Sequence, residues 1–285
     1  MKAQLWFSAR LLCWTFALGI VAAPANAAPV SEIVLDAASG ETLFSSQASL
    51  VRPPASLTKM MTLLLTFEAI SSGELRSSDK VVMTRRGARQ PPSKLGLQAG
   101  RSMTVEAAMR AVAVVSANDV AVALAEKVSG DERTFVRAMN RRAAQLGMTD
   151  TRFDNPTGLS PSGGVTTARD MATLARYIIR RSPEQYRMFS ARTFRWAGQG
   201  RANHNRLLGR VRGVDGVKTG YTVPAGYNLA ASSLRGGKRV IVVVLGARTA
   251  AARDLLVSNL LESGFSSLRI ESAPRVRRMT ERSRR

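Results

Sequence analysis

Ser56 and Lys59 stand three positions apart in "PPASLTKMMTLLLTF" (53–67), at the head of an apolar run. On a helix, residues at i and i+3 share a face with their Cβ atoms about 5–6 Å apart, so the lysine amine can reach the serine hydroxyl. A serine so placed becomes a nucleophile if the lysine gives up its own proton and takes the hydroxyl's. The positive end of the helix dipole and burial of the amine both favour that loss. Bringing a lysine from its ordinary ~10.4 to neutrality near pH 7 takes about 4 kcal/mol of differential interaction, which a closed site can supply. The alternative is that Ser56 only caps a helix. Ser77 and Lys80 repeat the spacing in "SSDK" (77–80), ahead of a short "VVM" segment with no long apolar run behind it. The spacing alone therefore decides nothing.

Two other short segments carry related chemistry. Ser116-Ala117-Asn118 falls between apolar stretches and offers a hydroxyl to relay a proton and an amide to hold a substrate carbonyl. A polar helix junction would read the same way. Lys218-Thr219-Gly220 follows "GVDGV" in an alternating pattern. Gly220 lets a substrate backbone approach, and Lys218 and Thr219 offer a charge and a hydroxyl to a carboxylate; a strand-end turn is the alternative.

Several chemistries are excluded. His204 is the only histidine and lies in polar "RANHNRLL" (201–208), with no G-x-S-x-G segment anywhere. A Ser-His-Asp triad is thus unsupported, and His204 reads as a structural or surface residue. Cys13 is the only cysteine, so the sets of histidine and cysteine that hold zinc are missing. Phosphate-cradling glycine loops are absent as well. If this is an enzyme, lysine is its base, and neither metal nor cofactor is expected.

Residues 1–27 read as a signal peptide. Lys2 and Arg10 precede "LLCWTFALGIVAA" (11–23), which is too short to span a bilayer, and "ANA" (25–27) supplies an A-x-A cleavage pattern. Cleavage after Ala27 removes Cys13, leaving a chain that lives in an oxidising compartment without disulfides. The formal charge is +22, of which Lys2 and Arg10 carry two. Such an excess suits an anionic membrane surface or wall polymer, which an exported protein meets more readily than nucleic acid; a solvated basic surface accounts for it equally well.

The elements that must position these residues follow from periodicity. "SEIVLDAASGETLFSSQ" (31–47) alternates on both sides of a turn at Gly40 and predicts a β-hairpin. Helical patterns follow over 56–70, over 104–130 with a break near "SAND", over 131–147 with Phe135, Met139 and Leu146 inward, and over 166–181. Residues 79–90 read as a short strand or an irregular stretch. Beyond about 190 the period changes to two, giving strands over 213–222, 226–235 and 239–247, then a helix over 250–264 ending at Gly264. The hairpin and the late strands predict one antiparallel sheet of five strands with the last helix packed on it. The middle helices predict a second lobe, with a site in the cleft between the two. Residues 266–285 read as a basic tail, disordered beyond Pro274, and "RVRRMTERSRR" (275–285) is either solvated or an electrostatic tether.

S-x-x-K, S-x-N and K-T-G in this order resemble the motifs of penicillin-recognising serine enzymes. With "NPTGL" (155–159) and "VDGVKTGYTVPAGYNLAAS" (214–232), the chain resembles the D-alanyl-D-alanine carboxypeptidases, the low-molecular-mass penicillin-binding proteins, over 28–265. The resemblance implies an α+β fold of the β-lactamase/D,D-peptidase type. It implies peptidoglycan stem peptides as substrates, β-lactam antibiotics as covalent inhibitors, and a periplasmic or wall-space location. By the same resemblance Ser56 is the nucleophile, Lys59 the proton acceptor and Ser116 a proton relay toward the leaving amine. Lys218 and Thr219 bind the carboxylate, Lys218 also helping to relay the proton, Asn118 holds the acyl side, and the N–H groups of Ser56 and Tyr221 form the oxyanion hole beside Gly220. Many relatives carry histidine where this chain has Tyr221, but only the backbone N–H is required. Arg253 corresponds to a family arginine near the cleft. A D,D-endopeptidase would share every motif. A β-lactamase would need a Glu-x-x-Leu-Asn loop, absent between Asn118 and Lys218. A non-enzymatic wall-binding protein explains the charge but not the three ordered motifs.

Overall fold

The computed structural model describes residues 29–159 and 164–272. The signal peptide read in residues 1–27 and the basic stretch from residue 273 onward lie outside the described residues. Alternation produces the expected hairpin of β1 (Ser31–Asp36) and β2 (Thr42–Ser46), with Gly40 in its turn at φ 85°. A 3₁₀ turn over Ala55–Thr58 leads into α1 (Lys59–Ser71), whose side chains are apolar and buried on nearly every face, so it runs through the middle of the helical lobe.

The 79–90 stretch resolves into β3 (Lys80–Val82) and α2 (Arg85–Ala88), and β3 pairs with β4 (Ser102–Thr104). The Thr84 and Thr104 hydroxyls cap α2 and α3 (Val105–Arg110) by accepting from Gly87 and Ala107 N–H. A π-turn over Ala111–Val115 separates α3 from α4 (Asn118–Ser129), and Gly130 ends α4 at φ 81°. Asp131 and Thr167 cap α5 (Glu132–Gln145) and α6 (Ala168–Arg181). On α5, Phe135 and Met139 are buried and Leu146 beyond its end is half-buried. After α7 (Pro183–Tyr186) comes a small hairpin of β5 (Thr193–Trp196) and β6 (Gln199–Ala202), which the sequence patterning did not single out.

β7 (Val214–Thr222), β8 (Gly226–Arg235) and β9 (Lys238–Ala247) complete the main sheet, ordered β2-β1-β9-β8-β7 and antiparallel throughout. Gly236 and Gly237 both have positive φ, as a tight hairpin between β8 and β9 requires. β9 is apolar on both faces because it is covered on both. Ile241, Val243 and Leu245 meet the helical lobe, while Val240, Val242 and Val244 meet α8 (Ala250–Ser272).

α8 corrects one expectation: it passes Gly264 and runs on to Ser272. A Cβ at Gly264 would lie 2.8 Å from Val34 Cγ1 and 2.9 Å from Val240 Cγ1. Glycine here permits close packing of helix on sheet, and Phe265 and Leu268 beyond it still bury apolar surface. The segment 266–272 is therefore helix, not tail. Among the described residues no helix is long and apolar enough to cross a membrane.

Candidate active site

Ser56 sits in the 3₁₀ turn before α1, partly exposed, while Lys59 is wholly buried at the first position of that helix. Lys59 Nζ donates to Ser56 Oγ at 2.9 Å and to the Thr157 carbonyl at 2.7 Å. Burial, and after it the charge of Lys218, push the Lys59 amine well below the ordinary lysine range. Ser77 and Lys80, the second copy of the spacing, lie exposed at the edge of the β3–β4 hairpin.

The Thr157 carbonyl is placed by "NPTGL". Asn155 Oδ1 accepts from the N–H groups of Thr157 and Gly158 at 2.9 and 2.8 Å, and its Nδ2 donates to Leu159 O at 2.9 Å. Thr62 Oγ1, on the α1 turn after Lys59, donates to Pro156 O at 2.7 Å. Gly158 has φ 79°, and a Cβ there would lie 1.8 Å from the Ala55 carbonyl. Only glycine lets this turn close against the residue before Ser56.

The turn bearing Ser56 is tied to the sheet by Asn228, which has no solvent exposure. Its Nδ2 donates to Pro53 O and Pro54 O at 3.1 and 3.2 Å, and its Oδ1 accepts from Gly246 N at 2.9 Å. The β8–β9 register shifts between Tyr227 and Leu229, and this side chain takes up the strand bond the shift would leave open. Asn228 also faces Gly220 across the β7–β8 ladder. A Cβ at Gly220 would stand 3.1 Å from both Ser56 N and Pro54 O, so β7 passes hard against the Ser56 backbone.

Ser116 follows the π-turn in a left-handed conformation, φ 61° and ψ 32°, which a non-glycine residue adopts at a cost and which recurs at functional sites. Its Oγ and the Asn118 Oδ1 are buried without a hydrogen-bond partner among the described residues. Asn118 is held by its Nδ2 bond to Pro91 O at 2.9 Å, and its backbone N donates to Ser93 O at 2.7 Å. Asp119 accepts from Leu95 N and Gly96 N at 3.0 and 2.8 Å, fixing the loop that forms the near rim.

Ser56, Ser116, Asn118, Thr219, Gly220 and Tyr221 line one cleft of about 720 Å³. Lys218 lies behind its wall, buried, donating to Thr219 O at 3.1 Å. Burial, then the charge of Arg253, bring Lys218 down to about 7. Tyr221 is half exposed at the mouth and stacks on Tyr227 with ring centroids 4.3 Å apart. Arg253 lines the cleft while its guanidinium is held by Asp254 at 2.6 Å.

His204, read from the sequence as a structural or surface residue, is exposed and lines the cleft as well. Burial against the cleft wall, then the charges of Lys218, Lys59 and Arg253, hold it to about 4, although part of the residue stays open to solvent. Among the described residues no group of three or more His, Cys, Asp or Glu is arranged to hold a metal. Thr157, Asn228 and His204 are the site residues given no role from the sequence. The Asn-x-Thr-Gly turn chemistry of 155–158 was a signal for the first, while the other two depend on tertiary approach.

A serine hydroxyl bonded to a buried lysine, in a cleft between an antiparallel sheet and a helical lobe, is an arrangement suited to serine–lysine acyl transfer. Residues 19–249 match the family model for D-alanyl-D-alanine carboxypeptidase, and the chain belongs to that family. It is 38% identical over 244 residues to D-alanyl-D-alanine carboxypeptidase DacF of Bacillus subtilis, covering 83% of this chain and 62% of that protein. It is 36% identical over 278 residues to DacD of Escherichia coli, covering 93% and 72%. The structure of penicillin-binding protein 6B from Escherichia coli superposes with a TM-score of 0.79 at 37% identity, covering 82% of this chain and 76% of that one. Penicillin-binding protein D2 from Listeria monocytogenes, in its ampicillin-bound form, superposes with a TM-score of 0.76 at 34% identity, covering 82% and 96%. The chain spans about three fifths of the length of some of its curated relatives, 62% for the Bacillus subtilis protein.

Proposed function

We propose that this protein is an exported, serine-type D-alanyl-D-alanine carboxypeptidase that removes the terminal D-Ala from peptidoglycan stem pentapeptides. The observation that carries this reading is the 2.9 Å contact between Ser56 Oγ and the buried Lys59 amine. In the reading, Lys59 takes the hydroxyl proton as Ser56 Oγ attacks the carbonyl of the penultimate D-Ala. The N–H groups of Ser56 and Tyr221 receive the oxyanion, and the close passage of Gly220 by Ser56 N supports their convergence. The proton passes by way of Ser116 and Lys218 to the leaving D-Ala amine as the C–N bond breaks. Water then hydrolyses the ester on Ser56. Asn118 holds the acyl side, while Lys218 and Thr219 receive the terminal carboxylate. Relatives bearing the name penicillin-binding protein support β-lactams as covalent inhibitors that acylate the same serine.

The test joins labelling to turnover. Benzylpenicillin should leave its adduct on the peptide carrying Ser56, and the protein should release D-Ala from a stem pentapeptide. An adduct on Ser77, or undiminished labelling of Ser56→Ala, would refute the nucleophile. Cleavage of a cross-linked peptide dimer with no release from the pentapeptide would replace the carboxypeptidase by an endopeptidase.

A further inference from the structure

Next to the cleft lies a second cavity of about 440 Å³ that shares Ala202, Asn203 and Arg206 with it. Arg192 and Arg210 complete its basic lining. Between Glu184 and Asp215 the chain carries seven arginines and no acidic residue, so no carboxylate of the same segment neutralises them. Arg192, Arg206 and Arg210 form no ion pair among the described residues.

The order of residues along β7 decides which end of the substrate this cavity meets. In the proposed reaction the Tyr221 N–H receives the oxyanion, and Lys218 and Thr219, earlier on the strand, receive the terminal carboxylate. Gly216 is earlier still. Buried Asn205 donates from Nδ2 to Gly216 O at 3.1 Å and accepts from Leu207 N at 3.1 Å. The loop bearing Arg206 is thus anchored beyond the carboxylate seat, about 16 Å along the strand from Tyr221. The rest of the frame is fixed as well. Asn203 N donates to Arg192 O at 2.8 Å, its Nδ2 donates to Ala191 O at 2.9 Å, and its Oδ1 accepts from Asn205 N at 2.8 Å. The Arg192 side chain lies against Gly209, where a Cβ would stand 2.8 Å from its Nη1. A concave basic surface on a rigid loop, past the seat of the first carboxylate, suits a second anion.

We propose that this cavity is a leaving-side subsite for a second carboxylate, so that the enzyme also cuts D-Ala bonds whose leaving amine belongs to a larger anionic segment, as in a cross-link to a neighbouring stem peptide. This rests on the carboxypeptidase reading. A single D-Ala has one carboxylate, received beside Lys218 and Thr219, and gives the cavity nothing to bind. A leaving segment that continues past its first carboxylate runs toward the loop. There three arginines offer a second carboxylate charge-assisted, forked hydrogen bonds. The bond chemistry is the same: Ser56 Oγ takes the acyl group, the amine leaves with a proton, and water hydrolyses the ester.

The experiment keeps one acyl part, diacetyl-L-Lys-D-Ala, and varies what leaves: D-Ala, D-2-aminoadipate, or the side-chain amide of D-2-aminoadipate. A cross-linked peptide dimer is the fourth substrate. At low salt the wild type should favour aminoadipate over its amide by about fivefold in kcat/KM, as exposed charge pairs allow. The gap should shrink as ionic strength rises. R192Q/R210Q should bring acid and amide together and slow cleavage of the dimer by a similar factor. Release of D-Ala and acylation by benzylpenicillin should be unchanged in that variant. Equal rates on acid and amide in the wild type, a gap that survives in R192Q/R210Q, or a dimer left uncut would overturn the subsite while D-Ala release still upheld the carboxypeptidase. No release from any of the four would overturn the carboxypeptidase reading, and the subsite with it.

Discussion

Replacing Asn228 by alanine tests whether the sheet holds the Ser56 turn in its working position. The side chain makes three hydrogen bonds inside the protein, two to the carbonyls of Pro53 and Pro54 and one from Gly246 N. At about 1 kcal/mol net for each, N228A should lose about 3 kcal/mol, since the partners left behind are buried. For a domain of this size that lowers the melting temperature by about 6–12 °C. The functional effect should be separate. With its two carbonyl tethers gone, the Ser56 turn can drift from Gly220, and a displacement of about 1 Å costs up to ~100-fold in a reaction that needs an aligned attack. The assay is the second-order rate of acylation by a fluorescent penicillin, measured well below the melting temperature. Leu261→Ala is the control, because Leu261 is fully buried between α8 and the sheet, away from the cleft. It should lose about 2–5 kcal/mol of stability and keep its acylation rate. If N228A acylates as fast as Leu261→Ala at matched stability, Asn228 supports the fold and does not position the nucleophile.

Gly220→Ala should slow acylation by about ten- to a hundredfold with the fold retained, because the new methyl meets Ser56 N and Pro54 O at 3.1 Å and neither backbone can yield freely; an unchanged rate would show that β7 does not set the Ser56 geometry. Lys218→Gln should reshape the pH profile of kcat/KM on a free-acid substrate. On the proposed roles, wild-type activity should rise with pH as Lys59 loses its proton and fall as Lys218, brought to about 7, loses the charge that receives the carboxylate. The variant should lose the falling limb, and its rising limb should move to higher pH, since the cation that helps burial keep Lys59 deprotonated has gone. A profile that matches the wild type in shape would refute both assignments.

The sheet was legible because its strands carry strong signals. β9 reads as an unbroken apolar run, and the β8–β9 turn carries two adjacent glycines. The end of α8 was not legible, because a glycine that stops a helix and one that lets a helix lie close on a sheet are the same residue in sequence. Gly264 does the second. The β5–β6 hairpin was missed because "TFRWAGQGRA" is polar and short, and its place is set by packing against the cleft rim. For the site, spacing brought out Ser56, Lys59, Ser116, Asn118, Lys218 and Thr219. It could not show that the Lys59 amine also bonds a carbonyl ninety-eight residues away, or that His204 faces the same cleft. Those contacts exist only once the two lobes are packed.

The packing also explains why the cleft gathers so many basic groups. Lys59, Lys218, Arg253 and His204 sit near enough that the charges of some lower the proton affinity of others, with burial acting first on both lysines and the histidine. A solitary buried lysine could become neutral by desolvation alone. On the proposed function the site must also admit a substrate that ends in a carboxylate, and an anion entering a dry cleft raises the proton affinity of every amine near it. An unshielded carboxylate would thus put the proton back on Lys59 at the moment the base is needed. A protonated Lys218 beside the incoming carboxylate offsets that field, so substrate binding takes away the lowering that Lys218 supplied but leaves in force the larger one that burial supplies. In the proposed mechanism the second lysine is therefore more than a recognition group: it lets a lysine serve as a general base in a site whose substrate is an anion.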